Sequence, residues 1–516
     1  MYTFSSRLKT IAFVLMILGV LGIGYSFLTA PKTVEDVEKI LEADSHHGGG
    51  HADAAHHEGA ASHDAHATAT VEEAHAAPAV EEAHAEPAHD TAHAVVAAEA
   101  AHENHDTVQV VATVDAAHET HAAEAHAEAG HDAHAAHGEE VHDAHAEHQH
   151  HLEHVLGQLQ NKPWSAVYVA ALFFMLISLG ALAFYAIQNA AQAGWSPVLF
   201  RVMEGISSYL IPGAVIVFLL LVAGTLDLHK IFIWMDAKVV AEDHLIQAKS
   251  GYLNKVFFLI RAVIFMGGWI LYRQYARKNS LAQDEATDNS YYKKNFKGSA
   301  AFLVFFIVSE SIMSWDWIMS VDPHWYSTLF GWYVFASFFV SGITVIALVT
   351  LYLKSLGHLE YVNTSHIHDL AKFMFGISVF WTYLWFSQFM LIWYADIPEE
   401  IVYFKMRIEN YNLPFFGMVA MNFVFPVLIL INTDFKRLSW IIVMAGIVIL
   451  CGHYVDFFNM IMPATVGDQW FIGAGEIGAI LFFLGLFIFV IFTALTKAPL
   501  LAKRNPLVEE SKHFHY

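Results

Sequence analysis

The stretch Ser309–Phe335, SESIMSWDWIMSVDPHWYSTLFGWYVF, decides the fold. Its first half closes an apolar run over 298–321, and its second half opens another over 326–353. Between them Asp322, Pro323 and His324 form a short exit, followed by Trp325, Tyr326, Trp332 and Tyr333. Two runs of spanning length joined by an aromatic-rich turn read as consecutive transmembrane helices, because Trp and Tyr concentrate at membrane interfaces. Glu310 and Asp316 lie inside the first run. Ionisable groups at that depth are costly and usually serve ions, protons or a ligand.

Working outward, runs of similar length occupy 163–188, 207–228, 251–273, 370–394, 413–432, 438–461 and 473–496. Ile11–Ala30 adds one more, preceded by Arg7 and Lys9. That run is long for a signal peptide, and Leu28-Thr29-Ala30 is a poor cleavage site, so it is expected to stay as a helix. The fold class predicted is an all-α integral membrane protein of about ten transmembrane helices. Composition agrees: the 516 residues are 56% hydrophobic and only 15% charged, and the mean hydropathy is positive.

The net charge of -23 is confined to one segment. Between Ile40 and Asn161 there are 24 Asp and Glu and no Lys or Arg, which leaves 26 acids against 27 bases elsewhere. Residues 46–154 hold 25 of the 34 histidines, VEEAHAAPA at Val71 recurs as VEEAHAEPA at Val80, and HDAHA starts at His63, His131 and His142. Ala and ionisable residues bury too little apolar surface to offset chain entropy, so a solvated, disordered loop is expected. Weak metal buffering is the sharper alternative, since His at i and i+3 can share a helix face. The organisation expected is an N-terminal helix over 1–31, this loop over 32–160, a nine-helix membrane domain over 161–498 and a tail over 499–516. With the N-terminus cytoplasmic, 17 Lys and Arg fall on the cytoplasmic side and nine outside. That bias predicts both termini inside and the His-rich loop outside.

Several classes of function are disfavoured. No basic patch offers a nucleic-acid surface, and no GxxxxGK[ST] or strand-linked GxGxxG is present. The single Cys451 permits no internal disulfide, no Cys-ligated iron–sulfur cluster and no CxxCH haem attachment. His453 is the only histidine read as well inside a span, so the paired axial ligands of a membrane cytochrome b are missing.

The candidates for chemistry fall into two sets. Glu310 and Asp316 stand six residues, about 9 Å, apart and roughly 120° around their helix, so they suggest separate steps along a path. His453 and Asp456 share a helix face, with Asn459 three residues further on. Arg261 reads as the one basic residue inside a span and needs a carboxylate partner or a route to the interface. These five are the proton-path candidates, set against the plainer reading of structural ion pairs and helix contacts. Near the helix ends on one side lie Asp227, His229, Asp322, His324, Asp396 and Glu476, each read first as an interfacial group in contact with water.

The run SWDWIMSVDPHWYSTLFGWYVF, the ten-helix layout and the opening MYTFSSRLKTIAFVLMILGVLGIGYSFLTAP together resemble the second quinone-reductase-like membrane subunit of bacterial alternative complex III. That family is similar to the polysulfide reductase membrane subunit. The resemblance covers the first helix and about 161–498, and leaves the His-rich loop outside. It implies two four-helix bundles plus peripheral helices in a bacterial inner membrane. It also implies a subunit with no covalent cofactor, haem or iron–sulfur cluster, in a quinol:cytochrome c or quinol:oxidase complex. Partners would be an iron–sulfur protein, a multihaem cytochrome c and a sister quinone-reductase-like subunit that carries quinol oxidation. The present type would serve proton conduction or structure. A quinone or quinol, menaquinone-type or other, would need an apolar slot, aromatics and a proton acceptor. Asp227, His229, Trp315, Asp322, His324 and Trp325 are the residues expected to supply it. Two other readings stand beside this one: a divalent-metal transporter with a His-rich collector, and a structural membrane anchor.

Overall fold

A computed structural model describes residues 2–47 and 135–515. Among the described residues all regular structure is helical, and ten helices are long and apolar enough to cross a membrane. The chain is an all-α multi-pass membrane protein, as its apolar runs predict. Helices suit these runs because lipid offers no hydrogen bonds, so each backbone group must be satisfied within its own segment.

The spans are α1 (Ser6–Thr29), α3 (Ala135–Ala190), α4 (Pro197–Thr225), α5 (Lys255–Glu285), α6 (Ser290–Trp317), α7 (Phe330–Ser355), α8 (Thr364–Ala395), α10 (Asn412–Leu430), α11 (Ser439–Val466) and α12 (Ala474–Leu495). Among the described residues two longer helices are not spans, α2 (Val34–His47) and α9 (Pro398–Glu409), and shorter ones lie at Ala237–Glu242, His244–Lys249 and Val508–Lys512. Alternation of the spans puts 226–254, 318–329, 396–411 and 467–473 on one face, called here the Asp322 face.

Packing sorts the spans into two groups of four with α1 and α12 at the side. Helices α3, α4, α5 and α6 form one group and α7, α8, α10 and α11 the other, with α6 against α7 between them. The apolar stretches of α3 and α7 are almost wholly buried and cross closely. A Cβ on Gly180 would lie 2.6 Å from the Phe338 carbonyl oxygen, and one on Gly342 would lie 2.7 Å from the Ala181 nitrogen. Small residues permit such approach, which in membranes replaces the hydrophobic drive between helices. Helix α1 is mostly exposed and meets α12 through Gly22, where a Cβ would lie 2.7 Å from the Ala474 oxygen.

The structure departs from the sequence reading at three places. Helix α4 begins ten residues before 207, because Arg201 and Glu204 interrupt its hydropathy but neutralise each other, with Nη1 donating to Oε2 at 2.8 Å. Arg201 is therefore a further buried basic residue within a span, as is Lys162 on α3, and Arg261 is not alone. Both flanks of the His-rich loop are helical rather than loop from 32 to 160. Val37 on α2 and Leu152 and Val155 on α3 are buried together, with Val34, Leu41, Leu156 and Leu159 around them. These residues recur at helical spacing, so each flank has one apolar face to bury. The repeats between His47 and Ala135, with their metal-buffering reading, lie outside the described residues. Finally, α10 is interrupted by a π turn over Ala420–Val424 that turns Asn422 fully inward.

Candidate functional site

On the Asp322 face a cavity of about 580 Å3 opens between the loop before α5 and the end of α6. Its walls include Tyr252, Trp315, Met319, Asp322 and Trp325, with Lys249 at the side. Lys249 Nζ donates to the Pro323 carbonyl at 2.5 Å, which ties the two loops together. The indole N–H groups of Trp315 and Trp325 are buried without a partner. An apolar cavity walled by two indoles and a phenol, with one carboxylate, matches the needs of a planar ring bearing oxygens.

Directly behind Tyr252 lies a buried ion pair. Arg261 Nε donates to Asp316 Oδ2 at 2.6 Å and Nη2 donates to Oδ1 at 2.9 Å, a bidentate clasp. Arg261 Nη1 donates to the Tyr252 carbonyl at 3.1 Å, and the guanidinium carbon lies 4.0 Å from the Tyr252 ring and 4.3 Å from the Phe257 ring. The Asp316 carboxylate lies close enough to the Tyr252 phenol to act on its ionisation. Burial, and then the Asp316 carboxylate, push the Tyr252 phenol above the ordinary tyrosine range. Tyr252 therefore stays protonated, and its contacts with Arg261 join the cavity wall to the buried pair.

A second polar centre sits inside the other helix group. Asp456, fully buried on α11, accepts from Trp381 Nε1 at 2.8 Å, from Ser337 Oγ at 2.7 Å and from the Tyr333 hydroxyl. Ser337 Oγ also lies 2.9 Å from His453 Nδ1. Because the single hydroxyl proton of Ser337 goes to Asp456, His453 must donate Nδ1–H to Ser337. The order is His453 to Ser337 to Asp456, and it leaves His453 Nε2 as a bare, buried acceptor with no partner. Both residues were expected to share a face, and Nδ1 to Oδ2 is 3.6 Å.

Glu310 stands apart from both centres. It is buried on α6, where Ser311 Oγ donates to Oε1 at 2.9 Å and Oε2 has no partner. On the opposite face the pair Arg201 and Glu204 extends into a buried network. Arg201 Nη2 donates to Asp284 Oδ2 at 2.5 Å, Arg277 donates to Glu204, and the Tyr185 hydroxyl donates to Glu204 Oε1 at 3.4 Å.

The proton-path residues thus fall in three places: Arg261 with Asp316, His453 with Asp456, and Glu310 alone. Of the ring-binding set, Trp315, Asp322 and Trp325 line one cavity, and the other three do not. Asp227 pairs with Lys255 at 3.0 Å and is exposed. His229 is buried, with Nε2 donating to the Leu220 carbonyl at 2.9 Å and Nδ1 accepting from Ile231 N at 3.3 Å, so both ring nitrogens are used in shaping the loop. His324 Nε2 meets Asp243 Oδ2 at 2.5 Å instead of the cavity. That contact and the backbone donors at Leu245 and Ile246 hold the Asp243 carboxyl below its ordinary range.

Sequence reasoning missed Tyr252, Lys249, Tyr333, Ser337, Trp381, Tyr403 and Arg407. Tyr, Ser and Trp inside apolar runs carry no warning that they will converge on a carboxylate. Arg407 lies on α9, a helix too polar to read as a span, yet it is buried and donates to the Asn459, Tyr403 and Met460 carbonyls. Among the described residues no group of three or more His, Cys, Asp or Glu comes together. In comparison with known proteins, no family model matches the chain and no curated protein matches it.

Proposed function

We propose that the chain is a membrane subunit of a bacterial quinol:cytochrome c or quinol:oxidase electron-transfer complex, set in the inner membrane with both termini cytoplasmic. In this reading it binds a quinone ring in the Asp322-face cavity and passes protons inward from it. The observation that carries the reading is the continuity of the cavity with Tyr252, and through the contacts of Arg261 on Tyr252 with the Arg261–Asp316 pair.

Oxidation of a quinol to a quinone releases two electrons and two protons. Electrons would leave to a redox partner, because this chain is read as carrying no redox centre of its own. Protons need bases beside the ring, and Asp322 in the wall is the first such group. The indoles of Trp315 and Trp325 would pack against the ring. Asp316 is neutralised by Arg261, so its part is to hold the guanidinium that packs on Tyr252 and to set the field at the cavity floor. The His453–Ser337–Asp456 chain supplies the depth of a path, since it orders a donor, a relay hydroxyl and an acceptor in one line.

A photoreactive quinone analogue applied to native membranes tests this. Labelling within 315–326, competed by excess quinol, is expected. Labelling elsewhere, or recovery of the chain from those membranes with no cytochrome or iron–sulfur partner, would overturn it.

A further inference from the structure

A second cavity, of about 400 Å3, lies where the end of α1, the helix α2, the membrane turns of α3 and the start of α12 meet. Tyr25, Ile40 and Leu159 give it apolar walls, and Lys162, Phe471 and Glu476 give it a polar floor. Both charges in that floor are incompletely satisfied. Lys162 is 7% exposed, and its ammonium lies 2.8 Å from the Phe471 ring centre and 3.5 Å from the Gln469 carbonyl, so one hydrogen bond at the outer limit serves three N–H groups. Glu476 is 2% exposed; Oε2 accepts from Gly473 N at 2.9 Å, while Oε1 has no partner. Among the described residues neither forms a direct ion pair. Leaving a buried ammonium and a buried carboxylate oxygen without partners is costly, so the pair calls for a third party.

The chemistry of that party follows from the walls. It must offer an anion to Lys162 and an N–H cation to Glu476, and it must be neutral in sum because the floor is. It must also carry apolar chains, because the cavity opens at the ends of spans whose residues there, such as Leu28 and Tyr25, are exposed. We propose that the cavity binds the headgroup of a phosphatidylethanolamine-type phospholipid, with phosphate on Lys162 and ammonium on Glu476 Oε1. The lipid would fasten α1 and α2 to α12 and so anchor one flank of the His-rich segment. This site is independent of the quinone cavity.

The test is lipid retention by the full chain, in whatever assembly it is purified, read by native mass spectrometry after stepwise delipidation. Nanodiscs would contain phosphatidylethanolamine, phosphatidylglycerol and phosphatidylcholine in equal amounts. The wild type is expected to keep phosphatidylethanolamine about tenfold better than the other two, of which one lacks the cation and the other lacks an N–H. Lys162→Met should abolish retention. Glu476→Gln should keep the phosphate contact and bring phosphatidylethanolamine and phosphatidylglycerol to similar retention. Equal retention of all three lipids by the wild type, which needs no variant to fold, overturns the proposal. So does displacement of the lipid by inorganic phosphate alone, which would mark an anion site.

Discussion

The indole of Trp325 lies on the phenol of Tyr403, with ring centres 3.9 Å apart and planes 16° from parallel. Arg407 places its guanidinium carbon 3.3 Å from the centre of the same phenol ring. The stack carries the cavity wall on the Asp322 face into the second helix group, whose Asp456 lies close enough to Tyr403 to act on its ionisation. Trp325→Ala should therefore both strip the wall and loosen Tyr403. Aromatic pairs contribute about 0.5–1.5 kcal/mol beyond their burial, so affinity for a quinone analogue should fall roughly three- to tenfold. Trp325→Phe should keep most of it. Competition in the photolabelling experiment measures this, and unchanged competition by Trp325→Ala would remove the cavity from the function.

The Arg261–Asp316 clasp makes a prediction about stability. Asp316→Asn leaves a buried guanidinium without its counter-charge, and breaking one side of a buried pair costs about 3–5 kcal/mol. Thermal unfolding in detergent should show a clear fall for Asp316→Asn and for Arg261→Met. Replacing both residues by apolar ones should recover much of the loss, because the pair as a whole contributes little net energy once its desolvation is counted. Additive losses in the double variant would show that the two side chains act separately.

In the second centre, Ser337 is the link between His453 and Asp456, and its removal changes the path more than the fold. Ser337→Ala deletes one buried hydroxyl, while Tyr333 and Trp381 still donate to Asp456. The expected stability cost is about 1–3 kcal/mol. Proton release per quinol oxidised, followed with a pH dye in vesicles holding the native complex, should slow by about tenfold or more. Ser337→Thr keeps the hydroxyl and should restore the rate. A rate that Ser337→Ala leaves unchanged would assign the centre to structure alone.

What could be read from sequence was what depends on one segment at a time. Apolar length gave the ten spans, and spacing of three put His453 and Asp456 on one face, because both are properties of a single helix. Convergence was not legible, since Tyr333, Trp381 and Asp456 come from three helices and nothing in one segment announces the others. The start of α4 was missed for a related reason. Arg201 looks unsuited to a span until Glu204 and Asp284, the latter 83 residues away, are seen to neutralise it. His229 and His324 were drawn toward ligand binding by residue type, and only their hydrogen bonds to Leu220, Ile231 and Asp243 show that they hold loops together.

His229 gives the loop after α4 a dependence on pH. Burial lowers the pKa of its imidazole, and the hydrogen bond to the Leu220 carbonyl only partly offsets that. The unfolded imidazole, near 6.5, therefore binds a proton more readily than the folded one. As pH falls below about 6.5 the unfolded chain takes up the proton first, and stability is lost until the lower folded pKa is passed. At neutral pH the contribution is fully present. Trp164 packs beside the ring at 5.4 Å, so a charged imidazole has an aromatic neighbour but no carboxylate hydrogen-bonded to it. His229→Gln offers an amide to Leu220 and cannot titrate in this range. It should lower stability modestly at pH 7.5, and the gap between wild type and variant should narrow at pH 5. Hydrogen exchange across 226–236 at the two pH values measures this, and a gap that stays constant would show that the imidazole never charges on unfolding.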